Sequence, residues 1–322
     1  MVANLRLYDN TRLSDFKRCP RLYYYRHVQH WKPQSRRLPL IFGGAWHSAM
    51  EVIWAHIGEW DRKALSDAAF AAFLETWCAE GLPYPLTMED NEEFEPRTPG
   101  QALEMILGYI EQREPSAKDF TILAVEKPFI VPLDPADPTL FYVGKIDKIV
   151  RHRTNKILGI EHKTTTAYSR SGPFKEAFLD SFSPNSQVDG YIYALHMMFP
   201  GEVGGVWVDA ALVHRSAEGF TYIPIEKQLE HLNSWIWDTR EWIRSVEKQR
   251  AELVECGPSD RYMGAFPKNT NSCWDFNSAC PYMYLCKSWP NPMGRPAPPG
   301  FDTEEWDPLN VIKGLNDLVE HV

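Results

Sequence analysis

No stretch of this 322-residue sequence approaches the roughly 20 consecutive apolar residues that a membrane-spanning helix needs, so no span is expected. The opening "MVANLRLYDNTRLSDF" has neither an apolar stretch behind a charged start nor a small-residue cleavage site, which leads us to expect a cytoplasmic protein. Cysteine is scarce, with six residues and no C-x₂-C pair. In a cytoplasmic chain, clustered cysteines read as metal ligands more readily than as disulfides. A Walker-A sequence is missing, which excludes an ATP-driven motor within this chain. There is no internal repeat and no base-reading element. Basic excess is lacking too: 34 Lys and Arg face 43 Asp and Glu, a net charge of −9. That argues against a basic nucleic-acid coat but leaves room for an acidic site beside a local basic groove.

What is present is ample length for a core, in one large domain or two small ones. Residues 11–31 predict a short helix with Ser14 near its start, then an aromatic, basic stretch. Helical spacing continues over 44–57, 61–80 and 100–113, and the Pro-rich, acidic stretch 80–100 reads as a surface loop. Three β-rich runs follow: "TILAVEKPFIVPL", "LFYVGKIDKIV" and "KILGIEHKT". A helix over about 185–199, the strands "GVWVDAALVHR" and "GFTYIPI", and a long helix over about 226–253 complete an α/β (α+β) core behind a helical N-terminal region. Cys78, in a helical run beside Trp77, reads as a small core residue.

The densest chemistry lies in the paired strands. Glu161 and Lys163 in "GIEHKTT" project to one face of a strand while His162 points away. Antiparallel pairing through the 151–156 turn brings Asp147, in "GKIDKIV", beside Glu161. Two adjacent carboxylates repel unless a cation lies between them. Mg²⁺ and Mn²⁺ favour such oxygen ligands, and a nearby lysine can orient an attacking water. Alone, so short and common a pattern would better suit a surface hairpin with a solvated cross-strand ion pair. Upstream, "GGAWHSAME" carries His47; downstream, "QVDGY" places Gln187 and Tyr191 one helical turn apart.

In this order the chain resembles the RecB-like branch of the PD-(D/E)XK nucleases over residues 11 to 288. That branch has a Cys-Pro (here Cys19-Pro20), a Gly-x-x-x-His helix (Gly43, His47) and a Gly-x-x-Asp strand (Gly144, Asp147). An (Asp/Glu)-x-Lys strand (Glu161, Lys163), a Gln-x-x-x-Tyr helix (Gln187, Tyr191) and three late cysteines (Cys273, Cys280, Cys286) follow. Its iron–sulfur members include AddB-type nuclease domains and CRISPR-associated or phage exonucleases. The resemblance implies a restriction-endonuclease-like core, a central mixed sheet flanked by helices, with a C-terminal cysteine segment. It implies a single iron–sulfur nuclease domain over 1–290, comprising a helical region 11–120, a nuclease core 121–255 and a cluster-binding segment 256–290. A Pro-rich linker and tail over 291–322 completes that division. His47, Asp147, Glu161 and the backbone carbonyl of His162 would ligate Mg²⁺ or Mn²⁺. Lys163 would position the water, and Gln187 and Tyr191 would support it. Glu126 in "AVEKPF" matches an acidic residue often found on the first strand, although an exposed strand Glu is the default.

Four thiolates can hold Zn²⁺ or a [4Fe–4S] cluster, and the resemblance favours the cluster, closed by Cys19. The spacing of Cys273, Cys280 and Cys286 is C-x₆-C-x₅-C, whereas many relatives have two residues between the second and third ligands, so Cys256 stands as an alternative to Cys273. DNA, as single strands or ends, is the expected substrate in a bacterial or phage-infected cytoplasm. A helicase, recombinase or single-strand-binding protein would be a partner. Arg18, Arg21, Tyr24 and Arg26 form an expected strand-binding patch, with the alternative that the aromatics pack inside. The competing classes are a non-catalytic DNA-binding or assembly subunit and a cluster-dependent redox protein.

Overall fold

The structure, a computed structural model, describes residues 5–34, 37–217, 219–275, 278–312 and 314–319. The ends of the 1–290 and 291–322 spans, and Phe276 and Asn277 of the cysteine segment, lie outside them. In chain order the first elements are β1 (Arg6–Tyr8), α1 (Asn10–Arg18), α2 (Pro20–Tyr23), a π-helical turn (Tyr24–Val28) and β2 (Trp31–Pro33). Helices α3 (Leu38–His56), α4 (Arg62–Ala79), α5 (Met88–Phe94) and α6 (Pro99–Ala117) lead to strands β3 (Phe120–Pro132), β4 (Leu140–His152) and β5 (Ile157–Thr165). Then come α7 (Glu176–Asp180), α8 (Ser186–Met198), β6 (Val203–Leu212), β7 (Phe220–Ile225) and α9 (Leu229–Val254). The short elements β8 (Trp274–Asp275), β9 (Ser278–Ala279), α10 (Met283–Ser288), β10 (Phe301–Thr303), α11 (Pro308–Val311) and α12 (Leu315–Val319) end the chain. No described helix is long and apolar enough to cross a membrane.

Two compact units share these elements. The sheet unit is built from residues 36–127 and 145–228. There β4 pairs antiparallel with β5, β5 parallel with β6, and β6 antiparallel with β7. The parallel step needs a crossover, and α8 supplies it. Residues Ile157 through His162 of β5 are all buried, as in a strand covered on both faces. Phe42, Trp46, Met50 and Ile53 of α3 bury against Phe73 and Trp77 of α4 and Met105 and Tyr109 of α6, forming the unit's main core. Three of the longer helices start where a side chain takes up a free N–H: Asp61 for α4, Thr98 for α6 and Asn185 for α8. At Gly205 the backbone φ is +116°, and a Cβ there would lie 2.2 Å from the Ile225 carbonyl oxygen, so glycine is required where β6 opens.

Residues 1–35, 128–144 and 229–322 form the cysteine unit. Strand β1 runs parallel to Leu140–Tyr142, and Leu7, Phe141 and Val143 bury with Ile312 and Leu315. Gly144 lies against the Phe129 ring, where a Cβ would come within 2.6 Å. Cys19 ends α1 in extended backbone (φ −163°) and caps α2, whose first residue is Pro20. Tyr25 stacks between Trp31 and Tyr282, at 5.5 and 5.4 Å between centroids.

Several local expectations need correction. The first helix is capped by Asp9, whose carboxylate accepts the Arg12 N–H at 2.8 Å, and Ser14 lies inside it. The stretch read as a loop over 80–100 contains α5, started by a capping box between Thr87 and Asp90 that the prolines on either side obscure. The 291–322 tail contributes β10 beside β2, and its Phe301, Ile312 and Leu315 are buried. Cys78 is exposed, because Trp77 occupies the inward position of that helical turn.

Candidate metal centre and a four-cysteine cavity

Within the sheet unit, α3, β3, β4 and β5 bring His47, Glu126, Asp147, Glu161 and Lys163 to one place. The ligating atoms of His47, Glu126 and Asp147 lie within 4.8 Å of one another. His47 Nδ1 is 3.2 Å from Asp147 Oδ2, and that same oxygen accepts the His162 backbone N–H at 2.9 Å. Lys163 Nζ donates to Glu161 Oε1 at 2.5 Å, so these two side chains do share a face of β5. The His162 ring goes the other way, to Lys148.

Glu126 is paired with Lys145 and has a φ of +50°, in the left-handed region. A non-glycine residue held there costs about 1–3 kcal/mol and persists only where its surroundings impose it. The carboxylate it turns toward His47 and Asp147 could not be foreseen from the strand's apolar pattern. Gln187 donates to the Tyr191 hydroxyl at 3.0 Å along α8.

The charges are strongly coupled to burial. Glu161 is buried; burial, and then the neighbouring Asp147 charge, push its carboxyl up to about 7. Burial also pulls Asp147 upward, but the His47 charge and hydrogen bond and the Lys163 charge outweigh it, leaving the carboxyl below its usual range. His47 and Lys163 are both raised: burial works against their charges, and Asp147 and Glu161 overcome it. Glu161 Oε2 is buried without a hydrogen-bond partner. Two carboxylates and an imidazole, those of Glu126, Asp147 and His47, with the unsatisfied Glu161 oxygen interacting with the last two, form a donor set that fits a hard divalent cation.

A pH dependence follows. Glu161 keeps its proton up to about pH 7 in the metal-free protein, and a cation must displace it. Divalent-ion affinity is therefore expected to rise about tenfold in all as pH increases from 6 to 8, and to level off above that as the Glu161 proton is lost. In metal-free protein the sign is opposite: stability from the raised carboxyl is present below the unfolded-state value and is lost as pH rises toward 7. Calorimetric Mn²⁺ titration across that range checks the first, and Glu161→Gln should flatten both trends.

In the cysteine unit, Cys19, Cys273, Cys280 and Cys286 line one cavity of about 300 Å³, together with Leu22, Asn269 and Tyr282 among others. All four are free thiols. The Asn269 backbone N–H donates to Cys19 Sγ at 3.3 Å, and the Cys280 N–H to the Cys273 carbonyl at 2.8 Å. Burial raises the Cys280 and Cys286 thiols. Cys256 does not line this cavity; its thiol donates to the Glu252 carbonyl at 3.5 Å.

The basic, aromatic stretch lies in the same unit, largely inside it. Tyr23, Tyr24 and Tyr25 are fully buried, and Arg21 is buried with its Nε donating to the Phe266 carbonyl at 2.9 Å. Tyr24 thus has no face open to a base, and Arg21 serves the interior rather than a phosphate. Arg18 and Arg26 are half-buried, Arg26 paired with Asp15 at 3.0 Å.

No curated protein matches the chain. Among solved structures it is similar to a "Putative exonuclease" from Eubacterium rectale, at 12% identity and a TM-score of 0.49 over 74% of this chain and 81% of that one. It is also similar to SSO0001, at 13% identity and a TM-score of 0.26 over 47% of this chain and 69% of the other. The sequence model of the PD-(D/E)XK nuclease superfamily matches residues 10–287. That match takes in the histidine, the acidic residues, the lysine and all four cavity cysteines, and by it the chain belongs to the PD-(D/E)XK nuclease superfamily.

Proposed function

We propose that this chain is a Mg²⁺- or Mn²⁺-dependent deoxyribonuclease that degrades DNA from ends, acting in recombination, repair or CRISPR-type processing. The observation that carries the reading is Glu161: a buried carboxylate with one oxygen on the Lys163 ammonium and the other without a partner, beside Asp147 and His47. A buried, unpartnered carboxylate oxygen is costly unless a cation completes it. In this reading His47, Asp147, Glu161 and the His162 carbonyl hold the ion, with Glu126 as a further carboxylate. When bound, the ion supplies Lewis acidity at the phosphate. Lys163 orients the attacking water and offsets negative charge developing on the phosphate, while Glu161 fixes the ammonium. Gln187 and Tyr191 support Lys163 and the DNA backbone, and Arg18 and Arg26 are the remaining candidates for backbone contacts.

The second part of the reading is a [4Fe–4S] cluster held by Cys19, Cys273, Cys280 and Cys286 as a structural staple. Its support is the gathering of four free thiols around one cavity, with a backbone N–H directed at one sulfur.

Linear single-stranded DNA and a closed circle of the same sequence, incubated in Mg²⁺, test the exonuclease reading. The linear strand should be consumed and the circle should persist, with EDTA stopping the reaction. Equal loss of the circle would mark an endonuclease. Binding without loss of either would leave a non-catalytic DNA-binding subunit.

A further inference from the structure

Behind the proposed catalytic strand lies a row of buried polar groups that cleavage chemistry does not use. His162 of β5 stands directly beside Asp209 of β6, and Asp209 beside Tyr222 of β7. Lys148 Nζ of β4 is hydrogen-bonded to His162 Nε2, and His162 Nδ1 faces Asp209 Oδ2 at 3.6 Å. From α6, Arg113 donates to Asp209 Oδ1 at 2.6 Å and lies 3.8 Å over the Tyr222 ring. The Tyr109 hydroxyl donates to Asp209 Oδ2 at 2.5 Å and accepts the Trp54 indole N–H at 2.7 Å. Lys148, His162, Asp209 and Arg113 are each at most 5% exposed.

Such a row is weak evidence for stability, because replacing buried ions by apolar side chains of similar size is often neutral or stabilising. What it can supply is uniqueness. On β5, Ile157 to His162 are buried on both faces, so apolar alternation does not say which face is which. A one-residue slip would exchange the faces of every side chain. His162 would then leave Asp209 and Lys148, and Glu161 or Lys163 would turn into the interior. In the observed register Glu161 and Lys163 lie beside Val208 and Ala210, which make no demand on them, and the only polar partner on β6 is reserved for His162.

We propose that the Lys148–His162–Asp209–Arg113 row is a register lock, whose members are positioning residues holding Glu161 and Lys163 in line with Asp147. The proposal rests on the nuclease reading above and goes beyond it by assigning a task to side chains that touch neither ion nor DNA.

Lys148→Met and the isosteric Asp209→Asn test it, assayed with wild type and Lys163→Ala on linear DNA at a temperature where all are folded by circular dichroism. Both should lower kcat by about tenfold or more, since small displacements of catalytic groups can cost up to about 10²-fold. The Mg²⁺ concentration for half-maximal rate should rise, and KM for DNA should stay within about twofold. A role in stability alone would shift the melting temperature and leave kcat within about twofold; that result, or a change confined to KM, overturns the proposal. Should Lys148→Met not fold, Asp209→Asn decides by the same criterion. Wild-type cleavage abolished in Lys163→Ala, with both row variants at full rate, would remove the lock and leave the nuclease reading intact. If wild type does not cut at all, the nuclease reading has failed, and amide exchange over 157–165 decides for the lock: faster in Asp209→Asn supports it, unchanged refutes it.

Discussion

Lys163→Ala, folded like its parent, should cut DNA roughly 10²–10⁴-fold more slowly, the range expected when a positioned group handling the water's proton is removed. The side chain ends on Glu161, and its charge is sustained by both Glu161 and Asp147 against the cost of burial. Removing it takes away the ammonium and leaves Glu161 with no partner on either oxygen. Affinity for DNA should change little, because one cation is a small part of a polyanion's electrostatic contact. The loss should therefore appear in kcat. Lys163→Arg should not restore the rate, since a planar guanidinium cannot occupy the place of a compact ammonium. A folded alanine variant within about tenfold of wild type would show that the cleavage seen does not use this lysine.

Cys280→Ser is expected to have the largest effect on stability. If the four thiols hold a cluster, the substitution removes one of its ligands. Structural metal sites contribute on the order of 10 kcal/mol to the fold that forms them. Whole domains are stable by only about 5–15 kcal/mol, so the loss is comparable to the total. The link from Cys19 to Cys273 spans most of the chain, and closing long loops removes the most freedom from the unfolded state. Anaerobically prepared wild type should be brown and contain iron. Cys280→Ser should be colourless, with α1 and the 273–286 segment open to protease, while Cys256→Ser and Cys78→Ser keep colour and stability. Stoichiometric zinc without iron in the wild type would overturn the iron–sulfur assignment.

The strands that hold the acidic residues were legible because β-branched runs broken by short turns leave little choice of element. The meeting of Asp147, Glu161 and Lys163 followed from alternation and one turn. Glu126 was not legible in the same way, because its position depends on a left-handed backbone at one residue of β3, which strand periodicity does not encode. The tyrosine triplet 23–25 misleads in the opposite direction. Arginines alternating with aromatics look alike whether the rings meet bases or Phe266, Trp31 and Tyr282, and only the packing decides. The direction of the His162 ring could be read from its neighbours, but its partners could not. Asp209 and Arg113 come from β6 and α6, some fifty residues away on either side, and nothing local announces them. Cys273 lines the cavity and Cys256 does not, a difference of placement that spacing could not give.

The measurement that tests the central claim most directly is release of nucleotides from end-labelled linear DNA by the purified wild-type chain, with Mg²⁺ and then with excess EDTA. Degradation in Mg²⁺ that stops with EDTA, and is absent in Glu161→Gln, is the predicted result. Degradation that continues in EDTA, or at an undiminished rate in Glu161→Gln, would contradict a metal-dependent nuclease centred on these residues.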